Sequence, residues 1–299
     1  RDRVAPSTTN RPPTERAHPR AVAAHYAPGD PQGAVLAALR AAGRDGATLA
    51  PDDLAPLDQL HPRGTAATRE LARLAQLQPG QAVLDVGGGL GGPARTLARE
   101  FGCAVTVVDL TAAYCRLGRG LTARAGPERR VGFLNGDALA LPCRDAAFDV
   151  VRTQASAMNI ADQGRLCAEA NRALRPGGRL ALREPATGRR VPPHFPVPWA
   201  ADQALSYLRP PEALRTLLWG VGLVELAWAD ATAATLAWYG AAGACGAARP
   251  APVPLGLELL LGPAARTMVA NLVRNLAEGR LAMVEGVFAR PQPDRALVR

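Results

Sequence analysis

Val83-Leu84-Asp85-Val86-Gly87-Gly88-Gly89-Leu90-Gly91-Gly92-Pro93-Ala94-Arg95-Thr96-Leu97-Ala98 decides the fold. A short apolar run breaks into six residues, Gly87 to Gly92, five of them glycine, and apolar residues then resume at helical intervals. The pattern predicts a strand, a tight loop and a helix. Glycines at such a junction let the backbone approach a bound ligand closely, because side chains there would fill the volume the ligand needs. The loop therefore reads as the floor of a site for a nucleoside-like ligand.

Gly87, Gly89 and Gly92 also satisfy G-x-G-x-x-G, the spacing of dinucleotide sites, so an NAD-dependent oxidoreductase is one reading. Asp85, two residues before the first glycine, speaks against it, since a carboxylate there repels a pyrophosphate and suits a cationic ligand. S-adenosylmethionine carries a sulfonium and an ammonium and has no phosphate. Ala104 to Asp109 is a second buried-type strand ending in an acid 22 residues beyond Gly87. An acid at that tip is placed to accept from both ribose hydroxyls, in either cofactor, and Leu110 would line the adenine. Val131 to Asn135 reads as a third strand, followed by Gly136-Asp137-Ala138, whose aspartate can accept from the adenine amine. Phe148 to Val151 reads as a fourth strand, with Gln154 beyond it beside the methionyl part, and Ala173 to Leu182 closes a helix and opens a fifth strand. The expected cofactor set is Asp85, Gly87, Gly89, Gly91, Asp109, Leu110, Asp137, Ala138 and Gln154.

This ordered set, spanning about residues 83 to 184, resembles the class I S-adenosylmethionine-dependent methyltransferases. Ala24-His25-Tyr26, Leu54 to His61, Ala66-Ala67-Thr68, Met158-Asn159-Ile160 and Pro196-Val197-Pro198-Trp199-Ala200 look like the small-molecule branch that includes sarcosine/dimethylglycine methyltransferases. The resemblance implies an α/β, doubly wound, Rossmann-like sheet of seven strands, with an N-terminal helical cap and a helical insertion before the last strand. It implies methyl transfer from S-adenosyl-L-methionine to an N or O atom of a small-molecule acceptor. In one respect the chain departs from that branch, which often reads Thr-Gln-His where this chain has Thr153-Gln154-Ala155. Ala155 offers no chemistry to an acceptor, and this departure supports the alternative of a cofactor-binding protein without turnover, in a regulatory or assembly role.

The 299 residues, 48% of them hydrophobic, suffice for one compact enzyme-sized unit. All 35 basic residues are arginine, which excludes a lysine Schiff base and a Walker-type phosphate loop. The formal charge of +9 is scattered and aromatics make up only 4%, so no interleaved basic and stacking surface for nucleic acid is expected. Cys103, Cys115, Cys143, Cys167 and Cys245 are an odd number without a C-x-x-C pair, which indicates neither a disulfide framework nor a metal site and suits a reducing cytoplasm. The uncharged stretch 231 to 248 is too rich in Ala, Gly and Thr to favour a bilayer.

The expected organisation is a disordered leader over 1–20, a helical cap over 21–80, the cofactor core over 81–187, and a lid segment, remaining strands and helical insertion over 188–299. Within the cap, helices are expected over 32–42 and 65–77, joined by turns around Pro51-Asp52-Asp53. Later elements are a helix from Pro211 to about Trp219, a sixth strand over 223–228 and a seventh over 281–289. Chemistry beyond the cofactor falls on His61, Asn159 and His194 as candidate catalytic residues, with Trp199 as a lid residue able to hold a cation. His18 and His25 are expected to be solvated or merely capping.

Overall fold

The protein is described as a computed structural model that places residues 13–44, 48–126, 129–245 and 255–292. Seven strands form one sheet in the order β3-β2-β1-β4-β5-β7-β6. They are β1 (Ala82–Val86), β2 (Ala104–Asp109), β3 (Val131–Asn135), β4 (Phe148–Gln154), β5 (Leu174–Thr187), β6 (Val224–Asp230) and β7 (Leu281–Ala289). The first five run parallel, and β7 inserts antiparallel between β5 and β6. This is the doubly wound arrangement, whose ligands sit at the carboxyl ends of the strands where the order reverses, here between β1 and β4.

Each strand follows from its residue pattern. In β1, Val83 to Val86 are all buried, as expected of a central strand covered on both faces. On one face Leu84, Val86, Val151, Leu180, Leu182 and Phe288 pack beneath α7 (Gln163–Ala173) and α8 (Pro211–Gly220). On the other, Val83, Val105, Val107, Val150 and Ala181 pack against α4 (Gly64–Leu74) and α5 (Gly92–Glu100). Fully burying each such side chain contributes about 1.5 to 3 kcal/mol. Helix α5 starts with Pro93 in its first turn, where its missing N–H costs nothing, and α6 (Ala112–Ala125) ends at Gly126 in the left-handed region, φ 98°.

The cap differs from expectation in two places. Pro51-Asp52-Asp53, expected as a turn, opens a helix, α3 (Pro51–Asp58), with proline again at the first helical position. Helix α1 (Pro13–Tyr26) begins inside the stretch expected as a disordered leader, so residues 13–20 are helical, while residues 1–12 lie outside the described residues. Helix α2 (Pro31–Ala41) matches the expected first cap helix, capped by Asp30, which accepts from the Gly33 N–H. The insertion before β7 holds α9 (Thr232–Cys245), α10 (Glu258–Leu261) and α11 (Ala265–Ala277). Among the described residues no helix is long and apolar enough to cross a membrane.

Candidate active site

A cavity of about 620 Å³ opens at the carboxyl ends of β1, β2 and β4, a size usual for small-ligand sites. Asp85, Gly87, Gly89, Asp109, Leu110, Asp137, Ala138 and Gln154, eight of the nine residues proposed from the sequence to hold the cofactor, all line it. Asp109 carries the loop: Oδ2 accepts from the Gly89 N–H at 2.9 Å and Oδ1 from the Thr111 N–H at 2.8 Å. A carboxylate offers about four lone-pair sites, so acceptor capacity for a diol remains. Burial pushes the Asp109 carboxyl up, and the two backbone donors oppose that shift. Asp137 Oδ1 accepts from the Leu139 N–H at 2.8 Å, which fixes the turn after β3.

Gly91 is a correction. It does not line the cavity; it caps α5 at φ 76°, and a Cβ on it would meet the Phe133 ring at 2.6 Å. Its glycine is required by the turn and the core, not by a ligand.

Asp85 is a second correction, to its chemistry and not to its place. It does not stand alone against a cation, because Arg152 on β4 donates from Nη1 to both of its oxygens at 3.1 Å. Arg152 Nη2 also donates to Gln154 Oε1. With Oε1 so engaged, the Gln154 amide donates to His61 Nδ1 at 3.0 Å, closer than the Pro62 carbonyl at 3.3 Å, so the stronger contact puts the proton on His61 Nε2, 3.3 Å from Thr68 Oγ1. Thr68 in turn donates to Gln59 Oε1 at 3.2 Å. The result is a directed chain of buried polar groups beneath the cavity.

His61 therefore lines the cavity with its basic lone pair already occupied. Burial, then the charge of Arg152, pushes its imidazole down to about 3. It is a neutral link in the network and not a base at neutral pH. Asn159 also lines the cavity, but its whole amide is engaged: Nδ2 donates to the carbonyls of Trp199 and Leu205 at 2.8 and 2.9 Å, and Oδ1 accepts from Tyr26 at 2.8 Å. Its part is to hold Tyr26 in position. His194 is not brought to the site. Its Nε2 pairs with Glu278 at 2.9 Å and its backbone N–H donates to Asn275 Oδ1, both on the α11 side. Trp199 is buried in the cluster of Met158, Leu272 and Met283, with its indole N–H on Ser206 Oγ at 3.0 Å. Within residues 188–208, Val197, Trp199, Ala200 and Ser206 are buried in the scaffold, and only Tyr207 reaches the cavity.

Four cavity-lining side chains, Arg152, Tyr114, Tyr207 and His18, are not assigned to the site by the sequence reading. Arg152 interrupts an apolar strand pattern, which was a usable signal. Tyr114 donates to the Tyr26 carbonyl at 2.5 Å and lines the cavity. Tyr207 and His18 approach each other edge to face, with ring centroids 4.9 Å apart. His18, expected to be solvated, lines the cavity, and its Nε2 lies 2.8 Å from the Asn159 carbonyl. Helix α1 so roofs the site, held also by His25 Nε2 on the Pro198 carbonyl at 2.9 Å. The composition of the leader gave no sign of this.

Glu184 on β5 sets the rim from behind. Its Oε2 accepts from the N–H groups of Ser156 and Ala157 at 3.0 and 3.1 Å, bracing the turn in which Ala155 takes φ 53°. Burial pushes this carboxyl up to about 7, against the hydrogen bonds it accepts.

Comparison with known proteins agrees with this geometry. Residues 83–178 match the family described as methyltransferase domain. The chain is 36% identical over 124 residues to a glycine/sarcosine/dimethylglycine N-methyltransferase of Actinopolyspora halophila, covering 40% of this chain and 22% of that protein. It is 29% identical over 179 residues to a sarcosine/dimethylglycine N-methyltransferase of Halorhodospira halochloris, covering 58% and 64%. The chain thus spans less than two thirds of the length of these relatives. Among solved structures, the geranyl diphosphate C-methyltransferase of Streptomyces coelicolor superposes with a TM-score of 0.60 at 18% identity, covering 76% of this chain and 77% of that one. The phosphoethanolamine N-methyltransferase 2 of Haemonchus contortus does so with 0.62 at 20% identity, covering 79% and 54%. β2 to β4, nearly all of β1, the glycine loop, Asp109 and Asp137 fall inside the segment that matches a methyltransferase domain, and the chain shares the fold of the solved methyltransferases on which it superposes.

Proposed function

We propose that this protein transfers the methyl group of S-adenosylmethionine to an N or O atom of a small-molecule acceptor. One observation carries it. Asp85 and Arg152 pair within the cavity lining, and Asp109 and Asp137 line the same cavity. The pair offers an acceptor and a cation to a zwitterionic amino-acid end, and the two further acids offer acceptors to a nucleoside. S-adenosylmethionine has both ends, whereas NAD, which also carries a ribose for Asp109, has no zwitterionic amino-acid end for the Asp85–Arg152 pair. When bound, S-adenosylmethionine supplies an electrophilic methyl and a good leaving group. The chain's own residues then need chiefly to align the acceptor and exclude water, and alignment alone can contribute about 7 to 11 kcal/mol.

A small acceptor suits the roof that α1 forms, because nucleic acid would have to enter beneath it. Cys103, Cys115, Cys143 and Cys167 are all free thiols, consistent with a reducing cytoplasm.

Calorimetry with S-adenosylhomocysteine and NADH tests the cofactor. The homocysteine compound should bind and NADH should not, and the reverse result overturns the proposal. Asp109→Ala should weaken that binding roughly 10 to 150-fold, the loss of about 1.5 to 3 kcal/mol in charge-assisted hydrogen bonds. Turnover with a panel of amines and phenols then tests the transfer itself. Binding without turnover of any acceptor would leave a cofactor-binding protein instead.

A further inference from the structure

His18 Nε2 faces a carbonyl oxygen, that of Asn159, at 2.8 Å. A carbonyl only accepts, so Nε2 carries the proton and the lone pair is on Nδ1. Nδ1 faces the Tyr207 hydroxyl at 3.5 Å, a separation too long for a strong hydrogen bond. The basic nitrogen is thus held in a fixed tautomer, turned to a cavity-lining hydroxyl and not consumed. His61, the other imidazole lining the cavity, is in the opposite condition, with Nδ1 occupied by the Gln154 amide. The lining that His18 shares includes the apolar Pro19, Val22 and Ile160, together with Asp162 and Arg165. The carboxylate of Asp162 is used to cap α7 through the Arg165 N–H.

Building on the methyl-transfer reading, we propose that His18 is the general base of the reaction, and that its acceptor is a hydroxyl on a largely apolar compound. An uncharged amine needs no base to become a nucleophile, whereas a hydroxyl gains most from losing its proton. In the step, the acceptor O–H bond breaks, the oxygen keeps the electron pair, and the proton passes to Nδ1. The imidazolium so formed retains its Nε2–H on the Asn159 carbonyl, and Tyr207 is positioned to donate to the oxygen nucleophile. The other titratable or charged groups lining the same cavity are Tyr26, Asp58, His61, Asp85, Asp109, Tyr114, Asp137, Arg152, Asp162 and Arg165.

The test uses the whole chain saturated with S-adenosylhomocysteine and para-nitrophenol as probe. At slightly acid pH, where the free probe is mostly phenol, the bound probe should show the phenolate absorption band. His18→Gln should lose that band while its affinity for S-adenosylhomocysteine stays within about twofold, which certifies its fold. Tyr207→Phe, which leaves Nδ1 in place, should keep the band. In turnover with phenols, His18→Gln should lower kcat by about 10² to 10⁴ and remove the acid limb of kcat/KM. A band or acid limb that survives in His18→Gln, or methylation of amines with no phenol turned over, overturns the assignment of His18. Failure of the wild type to bind S-adenosylhomocysteine would instead overturn the methyl-transfer reading on which it rests.

Discussion

Both carboxylate oxygens of Asp85 lie 3.1 Å from Nη1 of Arg152, with the two side chains only 2% and 4% exposed. Burial by itself would push the Asp85 carboxyl up, and Arg152 opposes that shift. Ion pairs this deep hold together mainly because either partner alone is worse. Arg152→Met leaves Asp85 uncompensated and removes a donor from Gln154, so it should destabilise the fold by about 3 to 5 kcal/mol. Asp85→Asn with Arg152→Met together should recover part of that loss. A denaturant double-mutant cycle measures the coupling, and a single-variant loss below about 1 kcal/mol would show the pair to be dispensable.

Glu184 makes stability depend on pH. Its carboxyl is raised in the folded state from 4.5 to about 7, because burial disfavours the charged form. A raised pKa means that the stabilising contribution is fully present below the unfolded value and is lost as pH rises through the folded one. Wild type should therefore lose stability between these two values relative to Glu184→Gln, which cannot ionise. The difference should approach about 3 kcal/mol across the window. Urea unfolding of both proteins at about pH 4 and about pH 8 checks this, and parallel curves would remove Glu184 as the cause.

How much was legible in the sequence follows from which interactions are local. Asp85, Gly87, Asp109 and Asp137 stand at fixed offsets from strand ends, and a parallel strand brings its own tip residues to the site whatever the rest of the chain does. Arg152 was present in the pattern yet unread, because only the pairing of β1 with β4 sets it beside Asp85. Helix α1 was hidden for another reason. It is held by His18, His25 and Tyr26 through hydrogen bonds to carbonyls and an amide over 130 residues away, not by an apolar stripe that periodicity could detect. Gly91 and His194 show the converse error. A residue type that suits chemistry was placed by packing, against Phe133 in one case and Glu278 in the other.

The loop glycines separate folding from binding. At Gly87, φ is 71° and a Cβ would sit 2.4 Å from Ser156 Cβ, so Gly87→Ala forces the turn braced by Glu184 to move. At Gly89, φ is 56° but the nearest atoms, from Leu60 and Tyr114, are at 3.4 and 3.9 Å and line the cavity. Gly89→Ala should then cost the fold only the left-handed strain, about 1 to 2 kcal/mol, while its methyl intrudes where a ligand approaches the backbone. Thermal unfolding should show the larger loss for Gly87→Ala. Calorimetry should show Gly89→Ala still folded with S-adenosylhomocysteine binding weakened at least tenfold. Normal binding by a folded Gly89→Ala would make the loop structural only.

Trp199 and His194, both expected at the site, should now behave as parts of the scaffold. Trp199 is 4% exposed, packs on Met158, Leu272 and Met283, and its carbonyl receives the Asn159 amide that positions Tyr26. Trp199→Ala opens a large void there and should cost about 3 to 5 kcal/mol, with cofactor and acceptor binding falling together because the roof over the cavity loosens. His194 pairs with Glu278 at 27% and 29% exposure, where solvent screens the interaction. His194→Ala should change stability by no more than about 1 kcal/mol and leave the pH dependence of kcat/KM unaltered. Denaturant unfolding together with S-adenosylhomocysteine calorimetry decides between scaffold and site. A Trp199→Ala variant that keeps wild-type stability but loses only acceptor KM would return this residue to the acceptor wall, and a missing acid limb in His194→Ala would return His194 to the chemistry.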